Sequence, residues 1–183
     1  MTMTEPEFIL LGDALWLDFI NTARGRVPTS PDLLPDEAAL LRWSAAQSIH
    51  LNGGPPPLPL VLQLRERLTA LAEALHAGLQ PPAASIAAIN EQLAQGGGCH
   101  QLTRISGEWQ LRFAPEQSPA VLQAIAQSAA ASLADSLRFV RRCAGEGCSL
   151  FFSDDSPNQS RRWCSVAVCG RQMKVERRRG LLR

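Results

Sequence analysis

Residues 137–183 read LRFVRRCAGEGCSLFFSDDSPNQSRRWCSVAVCGRQMKVERRRGLLR, and the four cysteines in that stretch decide the fold of the C-terminal part. Cys143 and Cys148 form one C-x4-C pair and Cys164 and Cys169 a second, with fifteen residues between them. A short loop brings both sulfurs of such a pair to one point. Four thiolates in a tetrahedron make a closed zinc site with no open position for a substrate. The spacing therefore predicts one structural zinc ion, not a hydrolytic centre. Disulfides are the bland alternative, and a reducing compartment disfavours them.

The local sequence around the pairs predicts a knuckle, a hairpin and a helix. Gly145 and Gly147 are expected to supply positive backbone angles in the knuckle. Leu150, Phe151 and Phe152 read as a strand, and 154–160 as a polar turn. Ser165 is placed to cap a helix beginning near Val166, with Cys169 in its first turn, where the helix dipole favours a thiolate. A module this small buries too little surface to fold alone, so the metal supplies much of its folding energy.

Working outward, charge divides the chain near residue 138. Residues 138–183 hold eleven Arg or Lys against four Asp or Glu, a net +7, whereas residues 1–137 hold seven against thirteen, a net −6. A compact basic segment on an acidic body is an expected footprint of nucleic-acid binding, although charge alone does not separate DNA from RNA. The candidate contacts are Arg161 and Arg162 before the third cysteine, and Arg171, Lys174, Arg177 and Arg178 on the final helix. Arg171, Lys174 and Arg178 recur on one helical face, and arginine forks match phosphate oxygens two bonds at a time. The competing reading is a basic helix that docks on the acidic body or on a protein partner, making the chain a zinc-stabilised adaptor.

Residues 1–137 read as a mostly helical α+β domain. Helices are expected over 14–23, capped by Asp13; over 35–50; over 60–79, with Leu60, Leu64, Leu68, Leu71 and Leu75 on one face; from Pro81-Pro82 to the Gly96–Gly98 run; and from Ser118-Pro119 to Leu137. Between the last two, the alternation around Ser106-Gly107-Glu108 predicts a β-hairpin. Cys99, the fifth cysteine, falls at the start of that hairpin as a bystander. The fold class is thus α+β, with domains at 1–137 and 138–183.

Several classes are disfavoured. No apolar run is long enough to span a membrane. The start MTMTEPEF lacks a signal peptide's basic, then apolar, pattern, so a cytoplasmic protein is expected. His50, His76 and His100 are scattered, and no nucleotide-binding loop or nucleophile elbow occurs, so no enzyme is expected.

Two further runs carry a resemblance. The RRWCS…CG…K run with Phe152-Ser153-Asp154-Asp155-Ser156 before it resembles the CGNR-type zinc finger. The run from Gly12 to Thr22, GDALWLDFINT, resembles the LDFxNT signature of the ABATE domain that precedes that finger. The resemblance spans essentially the whole chain. It implies a bacterial stress-induced transcription regulator whose zinc is held by Cys143, Cys148, Cys164 and Cys169 and whose finger binds DNA. It also implies an N-terminal domain that senses a small-molecule effector or mediates association into oligomers. This chain departs from the family at Cys169-Gly170-Arg171-Gln172, where the Asn and Arg of CGNR are missing. Within the N-terminal signature, Asp18 and Asn21 lie three apart on one helical face; with Arg24 they are candidates for ligand binding or for tying the first helix to a loop.

Overall fold

The computed structural model describes residues 7–25, 27, 29–49, 54–95, 98–105, 108–115, 121–135 and 139–178; for 98–103, 105, 108–115 and 176–178 the backbone alone is described. The element order is α1 (Leu15–Asn21), α2 (Glu37–Ala46), α3 (Leu58–His76), α4 (Ala83–Leu93), β1 (Gly98–Ile105), β2 (Glu108–Pro115), α5 (Val121–Ala134), β3 (Phe139–Arg142), β4 (Phe151–Asp154), a π-helical turn (Val166–Gly170) and α6 (Arg171–Arg178). The fold is α+β, as expected. β1 pairs antiparallel with β2 from Gly98↔Pro115 to Ile105↔Glu108, and β3 with β4 from Phe139↔Asp154 to Arg142↔Phe151. The expected helix opening at Ser118-Pro119, its end at Leu137 and the α2 end at His50 lie outside the described residues.

α1 has only seven residues, yet it is the centre of the body. Trp16, Leu17, Phe19 and Ile20 are fully buried, against Leu40 and Trp43 of α2, Leu68 and Leu71 of α3, and Ile125 and Ala129 of α5. A helix this short is marginal by itself; burial on all sides holds it. Its Trp16 indole donates to the Ser132 hydroxyl of α5 at 3.0 Å, so the ring's polar atom has a partner inside the core.

Two helix ends follow local rules. Asp36 caps α2, its Oδ1 accepting from the Ala39 amide at 2.7 Å. α3 stops at Gly78, whose φ of +69° suits glycine; the Leu79 amide reaches Ala74 O at 2.9 Å and the Gly78 amide reaches Leu75 O at 3.1 Å.

Three expectations are corrected. Asp13 does not cap α1: Ala14 stands at the N-cap without a side-chain bond, and Asp13, at φ +56°, pairs with Arg161 instead. The turn at Asp13 carries its carboxylate away from the helix start and toward the C-terminal module. On α3 the buried stripe is Val61, Leu64, Leu68, Leu71 and Ala72, while Leu60 is 51% exposed; the helix starts at Leu58, and its packed face is set by β3, α1 and α4 together. In the knuckle only Gly147 has a positive φ (+72°). Gly145 is needed for space, because a Cβ there would stand 3.0 Å from Cys169 Cβ and 3.2 Å from its sulfur.

Candidate metal centre and its docking on the helical body

β3 and β4 are joined by the 143–150 knuckle, and their pairing continues one step beyond the strands, with the Cys143 amide on Leu150 O at 2.9 Å. Cys143 and Cys148 sit at the two ends of that knuckle. The 160–165 segment comes back beside it through the Ala144 amide on Arg162 O at 2.8 Å, which delivers Cys164. The fourth cysteine arrives on a π-turn, where the expected helix start is one residue wider than α-helical: the Gly170 amide bonds Ser165 O, five residues back, at 3.1 Å. Ser165 stands at the N-cap as expected but makes no side-chain cap bond. That wider turn brings Cys169 Sγ to 3.7 Å from Cys164 Sγ.

All four sulfurs lie within 4.8 Å of one another, in buried positions, and none is in a disulfide. Zn–S bonds of about 2.3 Å in a tetrahedron require sulfurs about 3.8 Å apart; Cys148 and Cys164 stand 3.9 Å apart. The backbone prepares for negative charge, with the amides of Gly145 and Cys164 directed at Cys143 Sγ at 3.4 and 3.3 Å. Thiol hydrogen bonds from Cys148 and Cys164 hold Cys143 well below the ordinary thiol range. The same crowding with Cys143 pushes Cys148 and Cys164 up, and burial raises Cys169. Four thiolates this close need a cation among them. A soft, tetrahedral, divalent ion fits the donor set, all four positions of a tetrahedron being supplied by the cysteines. The cysteines form one structural zinc site.

Adjacent residues of β4 point to opposite faces, and this divides the strand's work. Phe152 lies with the zinc ligands, Leu150, Trp163 and, from the lead-in before α1, Ile9 and Leu11. Phe151 and Val140 lie instead in the core of the helical body. The free edge of β4 is taken by the N-terminal segment: the Ser153 amide bonds Gly12 O at 2.8 Å and the Ser149 amide bonds Gly25 O at 2.9 Å. Between them Asn21 stands in for a strand residue, donating Nδ2 to Phe151 O at 2.8 Å and accepting from the Phe151 amide at 2.9 Å.

With this geometry in place, two family models match the chain. One, described as "Putative stress-induced transcription regulator" and named ABATE, covers residues 13–136. The chain belongs to the ABATE family. The second is the CGNR zinc finger, over residues 140–180. No curated protein matches the chain. The two families are regulatory and zinc-binding, not enzymatic, and among the described residues no helix is long and apolar enough to cross a membrane.

The ABATE signature residues are occupied within the fold. Asn21 is 1% exposed, with both polar atoms bonded to β4. Asp18 accepts from the Gly12 backbone amide at 2.7 Å and from the Gln47 side-chain Nε2 at 3.0 Å; burial raises its pKa against these bonds. Arg24 pairs with Glu73 at 2.9 Å, lies 4.8 Å over the Phe151 ring, and lines a cleft.

The basic residues separate into two kinds. Arg161 is spent internally: Nε donates to Trp163 O at 3.0 Å, Nη2 to Cys164 O at 2.6 Å, Nη1 pairs with Asp13, and the guanidinium lies 4.6 Å over Phe152. Arg162, Arg171 and Lys174 are exposed and in no ion pair among the described residues. Arg177 and Arg178 continue α6, their side chains outside the described residues.

One residue was missed from sequence. Asp154 is fully buried at the end of β4, accepting from the Ser156 hydroxyl at 2.6 Å, the Ser156 amide at 3.1 Å and the Arg161 amide at 3.2 Å, with Arg141 at 3.5 Å. Burial alone pushes its carboxyl up, but these partners outweigh it and hold it below the usual carboxylate range. It shapes the turn that carries Cys164. The local Asp-x-Ser pattern was the available signal.

Proposed function

We propose that this ABATE protein is a DNA-binding regulator whose zinc site presents helix α6 to the phosphate backbone. The observation that carries the reading is the exposed charge of Arg171 and Lys174, without an ion pair among the described residues, on a helix whose main packing partner is the zinc turn before it. Arg162 adds a third exposed cation beside Trp163. Such residues fix position on a duplex. The test is titration of the zinc-loaded chain with duplex DNA across salt. Each phosphate contact contributes about −0.9 to the slope of log K against log salt, so replacing Arg171 and Lys174 by Ala should flatten it by about 2. Absence of binding at low salt sinks the reading. Single-stranded RNA in the same titration decides between the two nucleic acids.

The helical body is read as the half that responds to a small molecule, supported by the cleft against Arg24. A second reading, an adaptor that docks a protein partner, is favoured by Val166, Val168 and Val175, which stand 63%, 38% and 45% exposed on the π-turn and α6. It predicts that Val166→Ser and Val175→Ser weaken partner capture and leave DNA titrations unchanged.

A further inference from the structure

We propose that the cleft lined by the lead-in at 7–11 and by the described residues between Arg24 and Leu33 binds an apolar molecule bearing one carboxylate, and that its occupancy stabilises the zinc finger through Arg24 and Gly25. The cleft holds about 650 Å³, within the range of small-molecule sites. Its walls include Ile9, Leu10, Val27 and Leu33. Leu10 and Val27 are 39% and 55% exposed, leaving apolar surface in water that a ligand would cover. Among the described residues the cation in the wall is Arg24, whose side chain is only 16% exposed. Its Nη2 is on Glu73, and Nε and Nη1 bond no described residue. Poor solvation there strengthens attraction to an arriving anion. The carboxylate of Glu7, also in the wall, is held by Arg42 at 2.7 Å and disfavours an anion at that end. The ligand's head therefore belongs at Arg24 and its apolar body along Leu10 and Val27.

The same residues hold the finger. The Arg24 guanidinium covers the Phe151 ring, and Gly25 bonds Ser149, the neighbour of the ligand Cys148, through both its amide (3.2 Å to Oγ) and its carbonyl. Ile9 and Leu11 pack on the zinc-side core. A ligand that orders Arg24, Gly25 and the lead-in therefore binds the docked finger better than an undocked one, and by linkage it slows loss of zinc.

The inference rests on reading the helical body as a sensor, and its test contains no DNA. The zinc-loaded full chain is titrated calorimetrically with decanoate below its micelle concentration, and in parallel with decanol and decyltrimethylammonium. Zinc transfer to a chromogenic chelator is timed with each. One decanoate per chain should bind, about tenfold or more tighter than the cationic analogue, and should slow zinc transfer by about fivefold or more. Arg24→Gln should weaken binding but also loosens the Phe151 contact. Leu10→Asp, on an exposed wall position, should abolish decanoate binding, its zinc transfer being read against its own rate without decanoate. Equal binding of the three amphiphiles, or decanoate binding unaffected by Leu10→Asp, overturns the site. Binding that leaves zinc transfer unaltered overturns the coupling. If none of the three binds, the cleft proposal is overturned, while the sensor reading, which names no ligand class, is tested separately by other small molecules; lack of DNA binding touches neither result.

Discussion

The side chain of Asn21 and the backbone of Phe151, 130 residues apart, exchange two buried hydrogen bonds of 2.8 and 2.9 Å. The amide of Asn21 thereby completes the edge of β4 as a neighbouring strand would, and it joins the zinc-binding half to the central helix of the body. Only a carboxamide offers one donor and one acceptor in that fork. Replacing Asn21 by Ala leaves the Phe151 amide and carbonyl buried and unpaired, which should cost about 2–4 kcal/mol. Urea denaturation of the zinc-loaded chain checks it; a loss under 0.5 kcal/mol, on the order of a surface change, refutes the role.

Zinc removal should be felt beyond the finger, because Phe151 and Val140 are part of the body's core. Chelation is expected to lower the melting temperature of the whole chain and to raise amide hydrogen exchange in α1 as well as in 140–170. Exchange that rises in the finger alone, with α1 unaffected, would show the two halves to be energetically separate.

Arg161 and Lys174 should behave oppositely. Arg161 bonds the carbonyls of Trp163 and Cys164 and pairs with Asp13, so Arg161→Ala should speed zinc release and destabilise the fold by about 2 kcal/mol. Lys174 is exposed on α6, so Lys174→Ala should leave stability within about 0.5 kcal/mol. Thermal melts and zinc-transfer rates of the two variants read the contrast; indistinguishable behaviour contradicts it.

Asp154 gives stability a defined dependence on acid. Its folded pKa lies below the ordinary carboxylate value, so its contribution is fully present above the unfolded pKa of about 3.9 and is lost as pH falls through the lower folded value. Asp18, with a raised pKa, has the opposite sign: its ionisation costs stability, and that cost disappears as pH falls through its folded pKa toward about 3.9. The stability gap between wild type and Asp154→Asn should therefore be constant near neutrality and shrink below about pH 4. Comparing the two chains at each pH cancels the shared loss of zinc from protonated thiols. A gap that does not change with pH removes the charge-based role of Asp154.

The sequence is most informative where partners are close along the chain. The C-x4-C pairs use residues within a few positions, so spacing alone predicts that each brings its two sulfurs together; the Asp36 cap of α2, equally local, emerged only from the structure. The same locality made Asp13 look like a cap for α1, although its partner is Arg161, 148 residues away. Arg161 and Arg162 are adjacent and chemically identical, yet one is spent on carbonyls and Asp13 while the other faces solvent. Nothing in a run of two arginines distinguishes them.

By itself the sequence determined the zinc ligands, the α+β class, the polarity between a basic end and an acidic body, and the family. Each is carried by composition or by short-range spacing, which survive without knowing how the chain returns on itself. The tertiary structure alone decided that β4 docks on α1, that Asn21 is its stand-in strand, and that Arg24 lies between a cleft and the zinc finger. A buried polar group must find a partner, but which one depends on the elements packed beside it, and that packing is fixed only when the whole core has formed.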